Sequence, residues 1–60
     1  MKEFKNFTEF RLNMNLVPEV VALDTLVRIN DWLISGGQLE DRYVKQVLTF
    51  ASQFINYKGE

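Results

Sequence analysis

Three clusters of residues in this sequence have types and spacing that could do chemistry. Arg28, Asp31 and Trp32 lie close together along the chain. An exposed tryptophan beside charges has the make-up of a binding hot spot. The same residues also fit a core tryptophan near a helix end, its charged neighbours in water. Ser35-Gly36-Gly37 invites comparison with a phosphate-cradling loop. Such loops open a helix with glycines at set spacing and aim a lysine or a helix N-terminus at the phosphate. Here the glycines follow a helical pattern and close it, so a turn is expected. Asp31 with Glu40 and Asp41 could be read as a carboxylate pair or a hard-metal site. Calcium loops need several oxygen ligands at alternating positions, which this spacing does not supply. Capping and compensation of the helix dipole explain Glu40 and Asp41 more simply.

The remaining Ser, Thr, Tyr and Lys residues have no histidine or cysteine to activate them, because the sequence contains neither. The usual neutral-pH general base is therefore missing. A serine–lysine dyad is conceivable, but no spacing nominates one. No catalytic residue, metal site or cofactor site is expected, and the chain is expected not to be an enzyme.

The elements that must position these residues are set by length and patterning. Sixty residues make at most one domain, 1–60. A chain this short buries only about 60% of the surface its unfolded form exposes. Small scaffolds commonly add disulfides, metals or self-association, and with no cysteine the first is excluded. Hydrophobic residues at 47% and charged residues at 25% fit a folded protein rather than a disordered one. The net charge of -1 gives no overall drive toward nucleic acid or anionic membranes. No apolar run approaches the roughly 20 residues of a membrane span. The start, Met1-Lys2-Glu3-Phe4-Lys5, lacks a signal peptide's apolar stretch, so a cytoplasmic protein is expected.

Pro18 and Gly36-Gly37 divide the chain. In the last segment Tyr43, Val44, Val47, Leu48, Phe50, Ala51, Phe54, Ile55 and Tyr57 fall on one half of a helix. Asp41, Arg42, Lys45, Thr49, Ser52, Gln53 and Asn56 fall on the other. That apolar face is wider than the usual stripe of about 100°. In the middle segment Pro18 suits the first helical position, and a glycine can supply the left-handed closing residue. Ala22, Leu26, Ile29 and Leu33 form one apolar stripe. Val20, Leu23, Val27 and Ile34 form a second, and Val21 with Trp32 a smaller patch. Asp24, Arg28 and Asp31 mark the polar strip, the first two spaced as an i,i+4 pair. A helix apolar on several sides is normally covered on several sides. The first segment fits a helix, with Phe4, Phe7, Phe10 and Met14 on one face. It also fits a strand, with Phe10, Leu12, Met14 and Leu16 alternating. The helix is preferred because a lone strand has no partner; pairing across a dimer axis would rescue the strand.

The run Arg28-Ile29-Asn30-Asp31-Trp32-Leu33-Ile34-Ser35-Gly36-Gly37 adds a resemblance. With Leu16-Val17-Pro18 before it and Asp41-Arg42-Tyr43-Val44-Lys45-Gln46 after it, it resembles small uncharacterised helical proteins of Gram-positive bacteria and their phages. The likeness covers roughly residues 16–57. It implies a bacterial or mobile-element origin, and no activity or site residue.

The expected fold is all-α. A long antiparallel hairpin, about 18–35 and 40–57, carries a shorter N-terminal helix, about 3–14. The apolar surface exceeds what three short helices can hide. At about 25 cal/mol per Å², leaving it in water forfeits several kcal/mol. A homodimer or other homo-oligomer is therefore expected, or a second protein as partner. Phe7, Phe10, Met14, Trp32, Phe50, Phe54 and Tyr57 are the candidate interface residues. The leading function is a protein–protein interaction module, an accessory or regulatory protein. The alternative is a nucleic-acid-binding regulator of helix-turn-helix type. It would use Arg42, Lys45, Thr49, Gln53 and Asn56, although two cations beside Asp41 make a poor footprint. A binder of an apolar small molecule in the helical core is a third reading.

Overall fold

Asn6 starts the first helix. Its Oδ1 accepts a hydrogen bond from Glu9 N at 2.7 Å, and Glu9 Oε1 reaches back to accept from Lys5 N at 2.7 Å. This is the reciprocal logic of a capping box. The computed structural model describes residues 3–55, and in it α1 spans Phe7–Leu12. It is shorter than the expected helix over 3–14, because Asn6 caps it late and Asn13 closes it early. Asn13 N donates to Phe10 O, and Asn13 Nδ2 donates to Glu9 O. A 3-10 turn over Met14–Leu16 follows. Val17 is then extended, as a residue before proline tends to be. The strand alternative for this segment does not form.

Helix α2 spans Glu19–Ile34. Pro18 sits one position earlier than expected, as the residue before the helix, with its carbonyl accepting from Val21 N and Ala22 N. The far end closes as the glycines predict. Gly36 N donates to Leu33 O at 3.1 Å and Gly37 N to Trp32 O at 2.8 Å, with Gly36 at φ 102°. These two bonds and the left-handed glycine make a Schellman motif. Helix α3 spans Arg42–Ser52, with turns over 53–55. The expected continuation to residue 57 lies partly outside the described residues. Helices α2 and α3 pack together as a hairpin, and α1 lies against α3.

Every segment contributes to one core. Phe10, Val17, Ile29, Val44 and Leu48 are its largest fully enclosed apolar members, Ala51 is also fully enclosed, and Phe4, Ala22 and Val47 lie around them. Phe4 lies before α1. Its ring meets Phe10 edge-on at 5.2 Å and 83°. Its backbone N–H donates to Ser52 Oγ at 2.8 Å, and that hydroxyl donates to Leu48 O at 2.7 Å. Ser52 is therefore buried, not on the solvated half of α3 where the helical pattern places it. One hydroxyl ties the N-terminal segment to the last helix. Among the described residues no buried side-chain N or O lacks a partner.

The facing of α2 gives a direct stability contrast. Ile29→Ala removes a fully buried side chain and should cost about 2–5 kcal/mol. Val27→Ala, on the exposed side, should stay within about 0.5 kcal/mol. Urea midpoints measure both; equal losses would mean that α2 is rotated from this placement.

Candidate interaction surface

The turn between α2 and α3 is built around Trp32. Its indole Nε1–H donates to Asp41 Oδ2 at 2.9 Å, and the same oxygen accepts from Gln38 N at 2.8 Å. Asp41 occupies the N-cap position of α3, yet its carboxylate makes no side-chain cap bond to that helix. It turns back to hold the loop, so the expected capping role passes to its backbone. Asp41 O accepts from Val44 N and Lys45 N. The Trp32 ring lies 4.8 Å from the Tyr43 ring at 38°. Gly37 passes so close to the indole that a Cβ there would overlap Nε1. Trp32 is thus a half-buried strut of the turn.

Arg28 and Asp24 form the i,i+4 pair that their spacing predicts, Nε to Oδ2 at 2.7 Å. The bond and charge of Asp24 raise the Arg28 pKa above its ordinary value, with a smaller contribution from the Tyr43 hydroxyl. Both side chains are exposed, so the pair adds little stability. The carboxylates of Asp24 and Asp41 are therefore engaged in structure. Among the described residues no group of three His, Cys, Asp or Glu could hold a metal ion.

The candidate interface residues do not form one patch. Phe10 is fully enclosed in the chain's own core and presents no surface to a partner. Phe7 is half-buried, stacks on Phe10 at 6.2 Å and 22°, and carries the Arg11 guanidinium 6.0 Å from its centroid. Met14 and Phe54 are half-buried against the core. Phe50 is exposed, edge-on to Phe54 at 5.4 Å, and borders a groove with Asp24, Arg28 and Gln46. Tyr57 lies outside the described residues. Phe7 with Phe10 and Phe50 with Phe54 are brought together; Trp32 stands apart from both pairs.

Four of the seven exposed large hydrophobic side chains among the described residues lie elsewhere, on α2. Val20, Leu23, Val27 and Ile34 keep 72%, 53%, 57% and 76% of their surface in water. Their steps of three, four and seven follow a heptad seam with one position, Asn30, occupied by a polar residue. That spacing is the signal that could have nominated them from sequence. Beside the seam, Phe7, Leu26, Val27, Asn30 and Leu33 line an open groove. Leu12 and Leu39 are further exposed apolar side chains.

A protein-family profile matches residues 9–56, from within α1 through α3. The chain belongs to this family of unknown function (DUF6877). The segment that defines membership in the family contains the whole α2 seam and the Trp32–Asp41 turn. No curated protein and no solved structure matches the chain.

The turn makes its own prediction. Gly37→Ala should destabilise the chain by about 1–3 kcal/mol through overpacking against the indole. In a Trp32→Ala background the same change should cost much less. A double-mutant cycle on denaturation midpoints measures the coupling; additive losses would mean that Gly37 and Trp32 are not in contact.

Proposed function

We propose that this chain is a non-catalytic protein–protein interaction module, an accessory or regulatory protein working in the cytoplasm of a Gram-positive bacterium or one of its phages. The origin and setting rest on the resemblance carried by residues 28–37. The interaction reading rests on one observation: among the described residues the seam Val20, Leu23, Val27 and Ile34 stays exposed while the opposite stripe of α2 is buried. Exposed apolar surface clustered on one side of a helix marks sites that other molecules cover. A second copy of the chain or a different protein could supply such coverage, and molar mass across a dilution series distinguishes them. Among the described residues no helix is long and apolar enough to cross a membrane.

The nucleic-acid reading has less support. Residues 35–41 join α2 to α3, a longer connection than the roughly three to four residues of a helix-turn-helix. The outer side of α3 offers Arg42 and Lys45 among Gln46, Thr49 and Gln53, a sparse cationic surface.

A photo-crosslinking residue separates the readings in a host that carries the gene. Placed at Val27, it should yield a discrete protein adduct; placed at Gln53, it should not. Nucleic-acid adducts at Gln53, with affinity that falls steeply as salt rises, would overturn the proposal, as would the absence of adducts at either position.

A further inference from the structure

The rim of the α2 seam says what kind of protein covers it. Glu19, Asp24 and Asp31 flank the four apolar residues, and all three are exposed. Arg28 is the one cation of α2, and its Nε is already bonded to Asp24 at 2.7 Å. Counted over the side chains of α2, the seam is therefore an apolar strip with a net acidic border, while Arg11 of α1 stands over Phe7 at the adjoining groove. Helix α2 is 16 residues long, about 24 Å at 1.5 Å per residue, enough for four turns of a partner helix.

Two copies of this face brought together would set acidic rim against acidic rim. Like charges across an interface disfavour that pairing, and opposite charges favour a different one. Building on the interaction reading above, we infer that the α2 seam docks an amphipathic helix of a different protein. That helix has an apolar stripe at heptad spacing with lysine or arginine along its edges. It lies along α2 in the helix-in-groove manner. One edge of the docked helix runs beside the Phe7–Leu26–Leu33 groove, and the helix's cations face Glu19 and Asp31, because Asp24 is paired with Arg28. The acidic rim sets partner choice, and the apolar strip supplies most of the affinity. An anionic membrane surface is disfavoured by the same rim.

Two synthetic helical peptides test this. Both carry the same leucine stripe at heptad spacing; one has lysine flanks and the other glutamate flanks. Fluorescence anisotropy with the full chain should show the lysine peptide binding at least about tenfold tighter at low salt, the preference narrowing as salt screens the rim. Val27→Asp should weaken binding at least about tenfold while leaving the melting curve in place, since Val27 lies outside the core. Glu19→Lys combined with Asp31→Lys should reverse the preference toward the glutamate peptide, and Gln53→Lys on α3 should leave it unchanged. Equal binding of the two peptides overturns the inference. So does lysine-peptide binding that survives Val27→Asp, or failure of both peptides to bind. If the chain instead dimerises and Val27→Asp makes it monomeric, the partner is a second copy. The inference then fails while the interaction reading stands. A monomer that binds neither peptide and gives no protein adduct at Val27 defeats both.

Discussion

The return of α3 against α2 is fixed by a few bonds at one corner, and the rest of the molecule follows from it. Gly36 and Gly37 close α2 in a Schellman motif, and Gly37 passes against the Trp32 indole. The indole N–H reaches Asp41, and Asp41 holds Gln38 N. Tyr43, the second residue of α3, meets the tryptophan ring. With the corner set, Ile29 and Ala22 face Val44, Leu48 and Ala51 in one core. Phe4, Phe10 and Val17 complete it, and Ser52 fastens the N-terminal segment to it. Among the described residues the opposite side of α2 stays in water, and its second stripe is exposed although its residues are apolar.

That constraint also explains which parts of the sequence were legible. Pro18 and Gly36-Gly37 carry local backbone chemistry, and they placed α2 to within a residue of its observed ends. The stripe Ala22–Ile29 and the inner face of α3 were readable because helical periodicity reports burial directly when one face is covered. Ser52 was not readable. A serine on the polar half of a helical wheel looks solvated, and only the long-range contact with Phe4 N buries it. Asp41 was half readable: its position at the start of α3 is local, but its bond to Trp32 depends on the turn's path. The late start and early end of α1 come from Asn6 and Asn13, whose side chains compete with helical backbone bonds in a way that apolar spacing does not register.

The candidate surface shows the same division. Large aromatics read as interface candidates, yet Phe10 fills the core. Aromatic mass is what a small core needs, so aromatic identity alone cannot say which side of the boundary a residue takes. The α2 seam was visible as a pattern in the sequence. Its exposure was not, because that depends on which of two stripes α3 chooses. Once the choice is known, the acidic residues at its edges acquire meaning as a border.

The claim at the centre of this account is that α2 hides one apolar stripe and shows the other. Methyl-resolved NMR of the isolated chain, with a soluble paramagnetic agent, tests it residue by residue. The account predicts strong relaxation of the Val20, Leu23, Val27 and Ile34 methyls and protection of those of Val17, Ile29, Val44 and Leu48. Protection of both sets in a monomer, at every concentration, would contradict it.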